Sequence, residues 1–137
     1  MKITIGGSMT FAKEQFEVGE YLKNYGHEIL LTDDIEHFIK TPDLKLDQKK
    51  VIELSLQYDV IRSFFDKIAE SDAYLVCNYE KNGIKGYLGT SVLMEIGVAY
   101  HLNKKIYLFN EIDRNHKYGE EIEIINPTIL NGELSKI

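Results

Sequence analysis

The sequence predicts an α/β fold in which a five-stranded parallel sheet lies between two layers of helices. Short apolar runs alternate along the chain with longer amphipathic segments, which is the pattern of successive βαβ units. Glycines follow the first and third apolar runs closely, as expected where a strand turns into a helix. The 137 residues are enough for one domain with a core but too few for two ordinary ones, so we expect a single domain over residues 1–137.

The strands are predicted from short apolar runs bounded by turn residues. The first alternates apolar and polar side chains before a Gly-Gly turn, and the last begins with Pro127, which an edge strand tolerates. The predicted strands are residues 2–5, 27–31, 73–77, 105–109 and 127–130.

The helices are predicted from apolar spacings of three and four residues. Ser8 and Asp47 are candidate N-caps, and Gly26 is a candidate C-terminal cap. The predicted helices are residues 9–25, 47–70, 90–102 and 118–125. Residues 33–47 interrupt the pattern and are interpreted as a surface excursion, a short helix plus loop, that either covers a pocket or meets a neighbouring subunit.

These elements fit a three-layer αβα architecture with strand order 2-1-3-4-5, the flavodoxin-like and Rossmann-like arrangement. Ligands of such sheets bind outside the carboxyl ends of the strands, where the strand order reverses. Here the reversal lies between the first and third strands, so the loops of residues 6–9 and 78–89 should border the site. The candidate binding residues are Gly6, Gly7, Ser8 and Met9 of the first loop, Asn78 and Gly89 of the second, and Ser91 on the face of the helix that carries Glu95.

Glu95 is the principal candidate for chemistry. It is the one acid in an apolar helix and follows Leu93 and Met94, where a carboxylate is costly unless it is partnered or used. It lies near the helix N-terminus, on the face of Ser91, so it could line a pocket there. Exposure to solvent between apolar neighbours is an equally good interpretation from the pattern alone.

Asp72 is a second candidate acid, at the entrance to the third strand, although an acid between a helix and a strand is more often structural. The Gly6–Ser8 turn leaves backbone N–H groups free for an anion or a sugar hydroxyl. It does not match the dinucleotide fingerprint, and no P-loop motif occurs. Tyr79 and Tyr87 could stack on a base.

Composition excludes several classes of function. The net charge of −6 disfavours a nucleic acid polymer or an anionic membrane as partner. One cysteine, Cys77, cannot form an internal disulfide, and the N-terminus lacks a signal-peptide pattern, so a cytoplasmic location is expected. No apolar run reaches the length of a membrane helix. The four histidines lack metal-ligand spacing, so we expect neither a metal nor a cofactor.

Several segments together resemble the nucleoside 2-deoxyribosyltransferase family and the related deoxynucleoside-monophosphate N-hydrolases. They cover about a third of the chain in the right order: Ile3-Thr-Ile-Gly-Gly-Ser8, Ser71-Asp72-Ala-Tyr-Leu-Val76, Gly89-Thr-Ser-Val-Leu-Met-Glu95-Ile-Gly97-Val-Ala99 and Asn103-Lys-Lys-Ile-Tyr-Leu-Phe109.

The resemblance implies cleavage or exchange of the N-glycosidic bond of a (deoxy)nucleoside or its monophosphate. It would make Glu95 the nucleophile and Asp72 the residue that orients or protonates the leaving base, with residues 6–9 lining the substrate and Ser91 near the carboxylate. It also implies a homodimer or higher homo-oligomer.

The sequence departs from this pattern in ways that leave alternatives open. Gly89 stands where transferases of the family carry an acid, and the first strand and its loop lack the tyrosine and arginine usual in the hydrolases. Transfer and hydrolysis, and nucleoside and nucleotide, therefore stay open. An NAD-type glycohydrolase and a non-catalytic nucleotide-sensing or interaction domain are the alternatives.

Overall fold

The computed structural model describes all 137 residues, and its five strands form one parallel sheet in the order β2-β1-β3-β4-β5. This confirms the predicted α/β class and strand order. The strands are β1 Lys2–Gly6, β2 Glu28–Leu30, β3 Ala73–Val76, β4 Lys105–Leu108 and β5 Thr128–Ile129.

Six α-helices connect and cover the strands. They are α1 Ala12–Asn24, α2 Ile35–Lys40, α3 Gln48–Gln57, α4 Val60–Glu70, α5 Thr90–His101 and α6 Gly119–Ile125. Short 3₁₀ turns occupy Met9–Phe11, Pro42–Leu46 and Leu134–Lys136. The predicted excursion of residues 33–47 is thus α2 followed by a 3₁₀ turn. No helix is both long enough and apolar enough to cross a bilayer.

The predicted caps form. The Ser8 side chain accepts a hydrogen bond from the backbone N–H of Thr10, and the Asp47 side chain accepts one from Lys50. Gly26 follows the end of α1 with φ +91°, a conformation that favours glycine.

The single helix predicted over residues 47–70 is wrong, because the chain breaks into α3 and α4 at Asp59. Asp59 has φ 46° in the left-handed region, which Asp adopts more readily than most residues. The two halves also pack on different neighbours. Leu54 of α3 joins a small cluster with Ile35 and Phe38 of α2, whereas α4 packs against the sheet.

The side chains of β3 point alternately to the two faces of the sheet. Tyr74 and Val76 face the core formed with α4, α5 and α6, while Ala73, Leu75 and Cys77 face the core formed with α1. This alternation directs the Tyr74 side chain toward α5, the helix that carries Glu95.

Candidate active site

A cavity of about 370 Å³ opens at the carboxyl edge of the sheet, where β1 and β3 part. Its floor is the loop after β1, one wall is the N-terminal end of α5, and the opposite walls are parts of α2, α3 and α4. The predicted residues Gly6, Gly7, Ser8, Met9, Gly89, Ser91 and Glu95 all line it. The cavity therefore lies where the switch-point rule expects a ligand.

Glu95 is partly buried in this cavity and has one protein partner, the hydroxyl of Tyr74. The Tyr74 side chain is fully buried, packs edge-on against Phe64 with ring centroids 5.9 Å apart, and donates its hydroxyl hydrogen to Glu95 Oε2. No basic side chain pairs with Glu95. The carboxylate is held by one neutral donor, and its Oε1 accepts no hydrogen bond from the protein.

This environment places the titration of Glu95 near neutrality. Burial raises the pKa of Glu95 to about 7, and the hydrogen bond from Tyr74 opposes part of that rise. Burial and the charge of Glu95 raise the pKa of Tyr74 well above its ordinary value, so its hydroxyl remains a donor at any physiological pH. A carboxylate that titrates near pH 7 in a cleft is typical of a catalytic group.

Gly6, at the end of β1, lets the Tyr74 hydroxyl reach Glu95. A Cβ on Gly6 would lie 2.7 Å from Tyr74 Oη and 2.9 Å from Phe64 Cζ, closer than real carbon contacts allow. The absence of a side chain at Gly6 thus creates the space in which the hydroxyl sits.

The next two residues form a fixed turn. Gly7 has φ +145°, and a Cβ there would lie 2.8 Å from the carbonyl oxygen of Cys77. The buried Gln15 of α1 donates from Nε2 to the Ser8 carbonyl at 2.9 Å. Ser8 Oγ accepts a hydrogen bond from Lys81 Nζ at 3.0 Å. The turn is therefore anchored from α1 and from the loop after β3.

Asp34 is a cavity residue that the sequence pattern did not single out. It is 3% exposed, and its Oδ1 accepts a hydrogen bond from the Thr32 hydroxyl at 2.8 Å. It lines the cavity, has no basic partner, and its Oδ2 accepts no hydrogen bond from the protein. Its position in the sequence could have identified it as a candidate, because Asp34 follows the carboxyl end of β2 at the same edge of the sheet as Gly6.

Asp72 is far from the cavity, and the catalytic role expected of it does not fit this position. Its Oδ2 accepts a hydrogen bond from the Lys2 backbone N–H at 2.8 Å, and its own N–H donates to the Lys2 carbonyl. Both contacts lie at the amino edge of the sheet, about 13 Å (four residues of strand) from the carboxyl edge. Asp72 joins the starts of β1 and β3.

The substrate-binding role expected of Asn78 does not fit its contacts either. Its Nδ2 donates to the Asn110 carbonyl at 2.7 Å, and its Oδ1 accepts from the Asn110 N–H at 2.8 Å. The buried Asn78 side chain joins the ends of β3 and β4 and does not line the cavity.

The two tyrosines considered for base stacking, Tyr79 and Tyr87, lie in different surroundings. Tyr79 packs between Phe11 and Phe109, with centroid distances of 5.1 and 5.2 Å, and does not line the cavity. Tyr87 does line it, and Lys81 Nζ lies 5.2 Å from the centre of its ring. Of the two, only Tyr87 is placed to contact a ligand.

The fold and cavity define a flavodoxin-like αβα protein with a half-buried carboxylate at its topological switch point. No family model and no curated protein matches the sequence. Among solved structures, the chain is similar to the CMP N-glycosidase BcmB of Clostridium botulinum, with a TM-score of 0.51 over 94% of this chain and 85% of that chain. The two sequences are 14% identical, a level at which the likeness shows a shared fold.

Proposed function

We propose that this protein cleaves or exchanges the N-glycosidic bond of a (deoxy)nucleoside or its monophosphate, with Glu95 as nucleophile. The observation that carries the proposal is the Glu95 carboxylate, which faces a nucleoside-sized cavity with a single neutral partner and a pKa of about 7. The fold shared with a CMP N-glycosidase supports the same class of reaction.

The reaction proceeds in two displacements. Glu95 Oε1 attacks the anomeric carbon, the bond from that carbon to the base nitrogen breaks, and the base leaves with the electron pair and takes up a proton. Water then attacks the anomeric carbon, and the glycosyl–Glu95 bond breaks to release the sugar. The proton lost by that water balances the proton gained by the base. If a second base replaces the water, the outcome is transfer.

The surroundings of Glu95 favour this chemistry. A poorly hydrated carboxylate stabilises the positive charge that develops on the sugar, because few waters compete for it. The Tyr74 hydroxyl occupies Oε2 and leaves Oε1 available for attack. Asp34, which lines the cavity and has an oxygen that accepts no hydrogen bond from the protein, would accept one from an N–H group of the base and so orient it, a role that the family resemblance implied for Asp72.

Base release tests the proposal. The protein is incubated with a panel of ribo- and deoxyribonucleosides, their 5′-monophosphates and NAD, and free base is separated by chromatography. We expect release by the wild type and a loss of at least about 10³-fold in Glu95→Gln, as for removal of a nucleophile. Appearance of a new nucleoside after a second free base is added would identify transfer. Tight binding with no turnover of any compound would instead favour a nucleotide-sensing domain.

We also propose that the protein forms a homodimer or a higher homo-oligomer, as the family resemblance implies. Light scattering should report an assembly larger than a monomer, and a monomeric protein would contradict this proposal.

A further inference from the structure

The lining of the cavity contains two basic side chains, and neither has a carboxylate partner. Lys45 and Lys81 both line the cavity, and neither takes part in any of the ion pairs of the protein. Burial and the nearby charge of Lys45 lower the pKa of Lys81. Lys45 and Lys81 are the two basic side chains in the lining of the cavity, so they are the groups there that can attract an anion from outside the protein.

The Lys81 ammonium is held in position at the cavity. Its Nζ donates to Ser8 Oγ at 3.0 Å and lies 5.2 Å from the centre of the Tyr87 ring. Both contacts leave ammonium hydrogens free, because Lys carries three donors. Lys45 comes from the 3₁₀ turn after α2, so the pair brings together the loop after β3 and the excursion that follows β2.

Lys81 and Glu95 line the same cavity and are connected through its floor. Ser8, which binds Lys81, lies two residues after Gly6, so their Cα atoms are within ~7 Å. Gly6 is in turn against the Tyr74 hydroxyl that binds Glu95. A group bound by the lysines therefore lies in the same cavity as the carboxylate, on the far side of the Gly6–Ser8 turn from it. An anion placed directly against Glu95 would be repelled by it.

We infer that Lys45 and Lys81, with Ser8, bind the 5′-phosphate of a nucleoside monophosphate whose anomeric carbon faces Glu95. A phosphate monoester carries the charge of nearly two anions and three acceptor oxygens, which matches two ammonium groups and a hydroxyl. The inference rests on the proposed function and narrows its substrate from nucleosides in general to their 5′-monophosphates.

Equilibrium binding tests the site separately from catalysis. The Glu95→Gln protein, which cannot form the glycosyl–enzyme bond, is titrated calorimetrically with ribo- and deoxyribonucleoside 5′-monophosphates and with the matching nucleosides. We expect at least one monophosphate to bind about tenfold more tightly than its nucleoside or better, as one charge-assisted contact per lysine implies. Lys45→Met or Lys81→Met, added to Glu95→Gln, should reduce that ratio toward one.

Lys85→Met is the matched control, because Lys85 is exposed in the same loop as Lys81 but does not line the cavity. It should leave the ratio unchanged. The inference is overturned if no monophosphate binds more tightly than its nucleoside, if nothing in the panel binds, or if Lys85→Met lowers the ratio as much as Lys81→Met. Ribose 5-phosphate and inorganic phosphate complete the panel, and equal affinity for either would overturn the assignment to a nucleotide.

The two proposals fail in different ways. Monophosphate-selective binding with no base release by the wild type would overturn the proposed reaction and support the phosphate site. Base release with no preference for monophosphates would support the reaction and overturn the phosphate site.

Discussion

The hydroxyl of Tyr74, on a central strand, donates a hydrogen bond to Glu95, on the helix that follows that strand. Both side chains reach the point where β1 and β3 part, and Gly6 leaves the space in which they meet. The hydroxyl of Tyr74 therefore directs the carboxylate and offsets part of the rise that burial causes in the pKa of Glu95.

Replacing Glu95 by Gln should stabilise the protein at neutral pH and above. The pKa of Glu95 is about 7 in the folded protein and 4.5 in an ordinary environment, so the folded state holds a proton that the unfolded chain releases between these values. Stability from this group is complete below pH 4.5 and is lost as the pH rises to about 7, a loss of ~3 kcal/mol. The amide of the Glu95→Gln variant stays neutral at every pH and avoids that loss.

Denaturant unfolding at pH 4.5, 6 and 8 measures this effect. The difference in the free energy of unfolding between Glu95→Gln and wild type should be small at pH 4.5 and grow to ~3 kcal/mol at pH 8. Glu80→Gln, which removes an exposed carboxylate with no ion pair, is the control. A difference that does not change with pH would show that Glu95 titrates normally.

Tyr74→Phe should move the pH dependence of catalysis upward. The variant keeps the ring packed against Phe64 but loses the donor that favours the ionised form of Glu95. A hydrogen bond to a charged group contributes about 1.5 kcal/mol, so the rising limb of kcat/KM should shift about one pH unit higher. Tyr107→Phe, a buried tyrosine on the opposite face of the sheet, should leave the profile in place. An unchanged pH profile for Tyr74→Phe would show that the hydrogen bond from Tyr74 to Glu95 does not affect catalysis.

Gly6→Ala should disrupt the same contact from the other side. The new methyl would overlap Tyr74 Oη and Phe64 Cζ, and we expect a loss of about 1–3 kcal/mol in stability together with a fall in kcat/KM. Adding Tyr74→Phe removes the closest clashing atom. The double variant should therefore be more stable than the sum of the two single changes predicts, by about 0.5 kcal/mol or more. Strict additivity, measured by denaturant unfolding, would contradict the steric account.

The strand order was predictable from the sequence, and Glu95 could be singled out there, although the pattern alone fitted exposure of Glu95 to solvent equally well. Alternating strand and helix periodicities determine the order of layers, and an acid in an apolar helix is rare enough to be noticed. Tyr74 was not predictable as the partner, since a tyrosine in an apolar strand looks the same whether it packs or donates. The helix break at Asp59 left no signal either, because one left-handed residue does not interrupt the apolar spacing.

The expectation for Asp72 departs from the structure for a different reason. The rule that places ligands at the carboxyl ends of parallel strands locates Glu95 and Gly6 correctly. The same rule places the residue before a strand at the opposite edge, and Asp72 is such a residue. The role implied for Asp72 came from the family resemblance alone, whereas Asp34 follows β2 at the carboxyl edge of the sheet and lines the cavity.

Asp34→Asn and Asp72→Asn should therefore differ in their effects on catalysis. The new amide in Asp34→Asn would still accept the hydrogen bond from Thr32 but would bring an N–H₂ group or a weaker acceptor to the base, so kcat/KM for base release should fall by about tenfold or more. The amide oxygen in Asp72→Asn would still accept from the Lys2 backbone at the far edge of the sheet. Its kcat/KM per folded molecule should stay within about twofold of wild type, since surface changes of this kind have small effects.

The dependence of the Asp34→Asn effect on the base distinguishes a contact with the substrate from a general loss of stability. The loss in Asp34→Asn should vary with the base, being largest for bases whose N–H donors face the carboxylate, because only those bases lose a charge-assisted contact. A uniform loss for all bases would indicate a structural role for Asp34. A greater loss in Asp72→Asn than in Asp34→Asn would show that Asp72 takes part in the reaction. Asp72 would then have to act across the sheet, because the two edges are about 13 Å (four strand residues) apart and have no direct contact.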